Sequence, residues 1–351
     1  MTLRCGLVGT GNWTASTLLP ALRTQNDVDV VACVGGSLSE AQEFAARHRL
    51  AKAYPDIAAM IAVEALDVAV IATPDHLHAA QMKALMDAGV AVYCEKPLSN
   101  DAASAHDLVK LQRTRGVAAT VGYSFRFNPA IQAMKADLDA GTFGEIWLVE
   151  LAEHNPQFHP VGGKPLNWKG DPSQAAGGAL FEYGSHVIDM GAWLLGPVAR
   201  VSSSFKRVIA GARLDDTSTL QLEFASGAQG LLISSWVLSG GFPGTRVKLH
   251  GAKAVGEVLL DDRLPNGQRY TVGPAFGDLP AERAVAPMGE RRSDAATRHI
   301  AAFLDSVRTK SSAHPTLPTL AQAAHVQDIL IAALKAERQW QDVPDHSRVH
   351  I

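Results

Sequence analysis

Leu3-Arg4-Cys5-Gly6-Leu7-Val8-Gly9-Thr10-Gly11-Asn12-Trp13-Thr14 is the stretch that settles how this chain folds. An apolar run ends in glycine, and helical periodicity takes over from Thr17 to Leu22, so the segment reads as strand, tight turn and helix. Glycine lets a backbone approach an anion closely, and the amino end of a helix favours negative charge. Gly9, Thr10, Gly11, Asn12 and Trp13 therefore form a candidate pyrophosphate cradle. Thr14 stands where such fingerprints place a third small residue, so the motif is incomplete by itself and a plain strand-to-helix turn is the competing reading. Its position directly after the first strand gives it weight.

Strands and helices alternate outward from this turn. Val28 to Val34 and Leu66 to Ala72 are buried-strand runs, Ser39 to Arg47 is an amphipathic helix, and Thr73-Pro74 reads as a capping hydroxyl and first-turn proline opening a helix that stops at Gly89. A helix over 102–115 and a strand over 118–123 complete a parallel sheet covered by helices, ending near Ser124. Beyond it the pattern changes. Phe127 to Ala140 reads as a helix, Glu145 to Ala152 as a strand, 155–171 as a long irregular loop, and Ala179 to Leu195 as a helix. Leu220, Leu222 and Phe224 alternate with Gln221 and Glu223, as half-buried antiparallel strands do. Val247 to Leu260 continues that sheet, and Arg298 to Val307 and Leu320 to Trp340 close the chain as helices. The expected division is 1–124 and 125–351.

Three further places carry chemistry. Cys94-Glu95-Lys96-Pro97 follows the short strand Val90 to Tyr93, and a lysine at the carboxyl edge of a parallel sheet, beside a nucleotide turn, is placed to exchange a proton with a substrate. Thr73, Pro74 and His78 lie on the same rim as cap and cofactor contacts; His76 and His78 are too close in sequence to share a helix face, so no metal pair is expected. Glu182, His186 and Asp189 share one face of an otherwise apolar helix, a polar stripe suited to a cleft, although surface pairs of this spacing are common. The acidic residue that would bind ribose hydroxyls after the second strand is missing, with Gly35, Gly36 and Ser37 in its place. That absence permits NADP(H), with Ser37 as a partner for its phosphate, and the reading leans to NADP(H) over NAD(H).

Composition excludes other classes. The 351 residues suffice for two cored domains, and 32 Lys and Arg against 35 Asp and Glu give no basic surface for nucleic acid. No uncharged apolar run approaches bilayer length, and the first strand leaves no room for a leader. Cys5, Cys33 and Cys94 are odd in number and lack metal or redox spacing, so buried thiols and a cytoplasmic location are expected.

Taken together these residues resemble the Gfo/Idh/MocA oxidoreductases, NAD(P)-dependent enzymes acting mostly on sugars, cyclic polyols and related alcohols. The resemblance runs through the glycine turn, Thr73-Pro74 with His78, Glu95-Lys96-Pro97, Gly122-Tyr123 with Arg126-Phe127, Trp168-Lys169 with Asp171-Pro172, and Gly177-Gly178 leading to Gly184-Ser185-His186 and Asp189. It implies an α/β protein: an N-terminal Rossmann domain, then a C-terminal α/β domain whose large, open, mostly antiparallel sheet makes homo-oligomer contacts in a dimer or tetramer. It also implies that Lys96 and His186 are catalytic, that Glu95 supports cofactor and lysine, and that the Lys96-Pro97 bond is cis. Glu182 stands where the family commonly has Asp, and is expected to assist. Arg126, Asn128, Trp168, Lys169 and Asp189 are substrate candidates, with a structural role equally open for Arg126 and Trp168. The expected activity interconverts an alcohol and a ketone on a small polyhydroxylated molecule held between the Rossmann edge and the His186 helix. The alternatives are a non-catalytic dinucleotide sensor on the same fold and a reductase of an acyclic or unsaturated molecule.

Overall fold

Strand β1 (Leu3–Val8) is buried at five of its six residues and sits in the middle of a six-stranded sheet. The computed structural model describes residues 2–166, 168–172, 175–238, 244–287, 293–310 and 314–344, the side chains of Trp168 and Ser293 lying outside that description. After β1 come α1 (Leu19–Arg23), β2 (Val28–Val34), α2 (Leu38–His48), β3 (Lys52–Tyr54), α3 (Ile57–Val63), β4 (Val68–Ile71), α4 (Asp75–Asp87), β5 (Ala91–Cys94), α5 (Ala102–Arg115) and β6 (Ala119–Val121). The strand order is β3-β2-β1-β4-β5-β6 and every pair is parallel. β4 and β5 are buried at every residue, which is why they read as uninterrupted apolar runs.

The chain turns out of β1 at Gly9, whose φ is +105°. A Cβ there would lie 2.2 Å from the Ala72 carbonyl oxygen, so only glycine fits between the ends of β1 and β4. Helical backbone then begins at Asn12, five residues before the periodicity suggests, and passes through a wide π-type turn at Thr14–Leu18 before α1. Thr73 does not cap α4 as expected. Its hydroxyl donates to Gln81 Oε1 at 2.6 Å, and Pro74 itself occupies the capping position without a side-chain bond. The Lys96-Pro97 bond is cis. Cys5, Cys33 and Cys94 are buried thiols, and burial pushes Cys5 up to about 12 and Cys33 up to about 11, leaving them unreactive.

The second unit is built from α6 (Pro129–Asp139), β7 (Ile146–His154), α7 (Ser185–Leu195), β8 (Val198–Lys206), β9 (Thr217–Phe224), β10 (Gln229–Ser235), β11 (Gly244–Gly251), β12 (Ala254–Leu260), β13 (Gln268–Pro274) and β14 (Ala281–Glu282). These strands lie in the order β14-β13-β12-β11-β7-β10-β9-β8, with β7 and β10 parallel and the other pairs antiparallel. The segment 247–260 is a hairpin of β11 and β12 rather than one strand. α7 covers one sheet face and approaches closely at Gly191, where a Cβ would meet the Leu151 side chain at 2.9 Å.

The last helices change the expected division. α8 (Ser293–Thr309) buries Ala295, Ala296, His299, Ile300, Phe303 and Leu304, an apolar stripe at helical spacing. That stripe packs on the first unit: the Tyr93 ring lies 4.9 Å from His299 and 6.2 Å from Phe303, and the Thr120 hydroxyl is 3.1 Å from His299 Nε2. The units are therefore 1–124 with 293–324, and 125–292 with 325–351. Residues 293–324 fall in the first unit because their stripe matches the uncovered face of its sheet, a match visible only in three dimensions. α9 (Leu320–Lys335) stops short of Trp340. The chain turns at Arg338, φ +60°, whose N–H donates to the Ser203 carbonyl at 2.8 Å, and β15 (Gln341–Asp342) then pairs with β8. Among the described residues no helix is long and apolar enough to cross a membrane.

Candidate active site

A hydrogen bond joins the glycine turn to the β5 edge. Trp13 Nε1 donates to Glu95 Oε1 at 2.8 Å, so the residue opening the first helix holds the carboxylate that precedes Lys96. Gly122 makes room for that carboxylate, since a Cβ there would lie 2.8 Å from Glu95 Oε2. Glu95 keeps an edge open to solvent, yet desolvation pushes its carboxyl above the ordinary range, opposed by the Trp13 bond and the Lys96 charge. Lys96 is half-buried at the carboxyl end of the sheet.

His78 is placed differently from expectation. It is 1% exposed, with Nδ1 2.8 Å from the Pro97 carbonyl and Nε2 2.9 Å from the Thr73 carbonyl. Burial pushes its imidazole below the ordinary range, while the two carbonyls pull against that shift. With both ring nitrogens engaged by backbone, His78 is not a direct cofactor contact. It ties the turn before α4 to the turn that carries Lys96.

These residues fit a nicotinamide dinucleotide. A Cβ at Gly11 would meet nothing within 4 Å, so the turn leaves open space at the helix amino end. At the end of β2, a Cβ on Gly35 would lie 3.0 Å from both Thr10 Oγ1 and Ala41 N. Ser37 caps α2, its Oγ accepting from Glu40 N at 3.2 Å. The turn is not uncharged as its own residues suggest: Glu40 Oε2 lies 2.7 Å from where a Gly36 Cβ would stand.

In the second unit, the helical stretch 179–195 opens with a π-type turn at Leu180–Gly184, a distortion that recurs at functional sites. Of its polar side chains, Glu182, Tyr183 and His186 remain half-exposed. Phe125 stacks on His186 with ring centroids 4.4 Å apart and 14° between planes, which holds the imidazole flat. Lys169 Nζ pairs with Glu182 Oε1, and Gln157 Nε2 donates to the Tyr183 hydroxyl at 2.5 Å. Asp215 secures the start of this helical stretch, accepting from Gly178 N at 3.0 Å and Leu180 N at 2.9 Å.

Arg126, Asn128 and Asp189 have interior roles instead of substrate contacts. Arg126 and Asp189 are each 1% exposed and form a bidentate pair, Nε to Oδ2 at 2.8 Å and Nη2 to Oδ1 at 2.6 Å. Burial pushes the Asp189 carboxyl up, and the Arg126 charge opposes it. Asn128, also 1% exposed, caps α6 by accepting from Ala130 N at 2.9 Å. They are drawn inward because each satisfies a buried charge or a helix end. Asp189 thus leaves the stripe predicted for it, Glu182 and His186 stay, and Lys169 joins them from the short turn at Trp168–Gly170 through its pair with Glu182. Trp168 belongs to a short turn, but its side chain lies outside the described residues. Trp13, Phe125, Gln157, Tyr183 and Asp215 as partners were not legible in sequence, because none stands at a motif spacing from the residue it serves. Among the described residues no group of three or more His, Cys, Asp or Glu could hold a metal ion.

A parallel sheet of this order, a glycine turn on its first strand and a lysine beside the turn's carboxylate partner define a nicotinamide-dependent oxidoreductase. Residues 3–123 match the family model for the oxidoreductase family with NAD-binding Rossmann fold, and residues 131–256 match the GFO/IDH/MocA C-terminal domain. The chain belongs to the Gfo/Idh/MocA family. It is 26% identical over 347 residues to inositol 2-dehydrogenase of Rhizobium meliloti (strain 1021), covering 97% of this chain and 99% of that one. It is 30% identical over 234 residues to trans-1,2-dihydrobenzene-1,2-diol dehydrogenase of Macaca fuscata fuscata, covering 66% of this chain and 67% of that one. Its fold is shared with a levoglucosan dehydrogenase solved with NADH and levoglucosan, TM-score 0.87 at 22% identity, covering 98% of this chain and 100% of that one.

Proposed function

We propose that this oxidoreductase interconverts a secondary alcohol and a ketone on a sugar, cyclic polyol or related small molecule, with Lys96 as the proton-transfer residue. The observation that carries the reading is the Trp13–Glu95 hydrogen bond, which ties the residue preceding Lys96 to the nucleotide turn. The bound nicotinamide supplies hydride acceptance or donation. Lys96 takes the proton from the hydroxyl during oxidation and returns it during reduction. His186, held flat by Phe125, is the group that donates a hydrogen bond to a substrate hydroxyl and fixes its direction. Glu182 and Lys169 present a paired acceptor and donor to neighbouring hydroxyls, a combination suited to a polyol.

The relatives named above support this substrate class. A panel of inositols, sugars and anhydrosugars, followed at the nicotinamide absorbance with NAD and NADP, tests it. Reduction of the dinucleotide by at least one cyclic polyol is expected. Cofactor binding without turnover on any alcohol would favour a sensor, and turnover only on unsaturated compounds would favour the reductase.

The protein is also proposed to work as a homo-oligomer through the open face of the second sheet. Leu231 and Ile233 on β10 are 46% and 37% exposed there, beside Glu150 and Ala152 on β7. Arg246 links Glu150 and Glu257 across that face at 3.3 and 2.7 Å, giving apolar and charged groups that a second copy matches by symmetry. Light scattering on the purified protein checks this, and a monomer at working concentration would exclude it.

A further inference from the structure

We propose that Glu40 is the residue with which this protein distinguishes the two nicotinamide dinucleotides, setting a carboxylate at the adenosine ribose so that NAD(H) is taken in preference to NADP(H). The inference rests on the reading of the first unit as the dinucleotide-binding unit. In sheets of this topology the end of the second strand faces that ribose, and an acidic side chain there accepts from its hydroxyls and repels a 2′-phosphate. The chain has no acid on the strand end itself, where Gly35 and Gly36 follow β2. The two glycines have no side chain to fill the space, and Glu40 reaches back into it. Its Oε2 lies 2.7 Å from the point a Gly36 Cβ would occupy.

Two features hold the carboxylate in this position. Ser37 and Glu40 have capping-box spacing, Ser37 Oγ accepts from Glu40 N at 3.2 Å, and the glutamate so set in the first turn of α2 has its carboxylate over Gly36. The amino end of α2 favours negative charge on that turn. Nothing in the segment offsets it: residues 34–46 contain Glu40 and Glu43 and neither lysine nor arginine. A 2′-phosphate carries about two negative charges and would be repelled by Glu40. A ribose hydroxyl, in contrast, gains an acceptor. Glu43 lies almost one turn further along the helix, so the role falls to Glu40. The alternative test, Gly35→Asp, is confounded by packing, because its Cβ would press on Thr10 Oγ1 and Ala41 N at 3.0 Å.

Direct binding decides the matter without a substrate. Dissociation constants for NADH and NADPH are measured by titration calorimetry on the wild-type protein and on Glu40→Gln, which keeps the capping-box side chain and removes only its charge. Wild type is expected to bind NADH at least about tenfold more tightly than NADPH. Glu40→Gln is expected to strengthen NADPH binding by about tenfold at low salt and to leave NADH within about threefold, with the wild-type difference narrowing as salt rises. Equal affinities in the wild type, or a substitution that moves both dinucleotides alike, overturns the proposal. Failure of the wild type to bind NADH overturns it together with the reading of the unit, and the two failures are distinguished by that single titration.

Discussion

Lys96→Met is expected to lower kcat by about 10²–10⁴-fold, the usual worth of a positioned acid or base, while the dinucleotide dissociation constant changes little. Methionine keeps the unbranched stem and removes the exchangeable proton. The contact between Trp13 and Glu95 does not involve the lysine side chain, so the nucleotide turn keeps its link to the β5 edge. His186→Ala should differ in kind, raising KM as well as lowering kcat, because a group that orients the hydroxyl acts on bound substrate and transition state together. Steady-state kinetics with a substrate from the polyol panel separate the two. A Lys96→Met enzyme with near-normal kcat and an unchanged pH profile would remove the lysine from proton transfer and leave His186 or Glu182 as the base.

Arg126→Met is expected to destabilise the fold by about 3–5 kcal/mol, because it strands the Asp189 carboxylate in a site that is 1% exposed. The pair itself need not stabilise strongly, since desolvating both partners offsets much of their attraction; the loss comes from breaking it on one side. Replacing both residues, as in Arg126→Met with Asp189→Leu, should therefore recover most of the stability. The direction with pH follows from Asp189. In the unfolded chain its carboxyl loses the proton near pH 3.8, whereas burial holds the folded-state value higher, and more so once Arg126 is gone. Between those values the folded variant binds more protons, so its stability declines as pH rises and its deficit is smaller near pH 4 than at pH 8. Denaturant unfolding at several pH values checks both points. A deficit no larger than that of a surface substitution, or one that grows toward acid pH, would show that the pair does not carry this charge.

The two variants also mark the limit of sequence reading. Lys96 was legible because its chemistry is local: an apolar strand ends, a charged residue and proline follow, and in a parallel sheet such positions fall on one rim. Asp189 shared spacing with Glu182 and His186, and spacing alone cannot tell a side chain facing a cleft from one facing a buried arginine 63 positions away in sequence. The same holds for His78, whose rim position suggested a ligand contact until its two nitrogens were found against the Pro97 and Thr73 carbonyls.

Alternating apolar runs and helical periodicity, glycine at the first turn and the order of motifs along the chain determined the class of fold, the family and the identity of Lys96, Glu95, His186 and Glu182 as candidates. These are properties of short segments, where strand or helix and the direction of a turn are decided by residues a few positions apart. Tertiary packing alone decided the rest. It took α8 into the first unit through a stripe that fits a distant sheet face, drew Arg126, Asn128 and Asp189 inward, and set Phe125 against His186. Each of these outcomes depends on burial and on the distance between atoms far apart in the chain or on different faces of a turn, and desolvation and hydrogen bonding respond to that distance, not to sequence spacing.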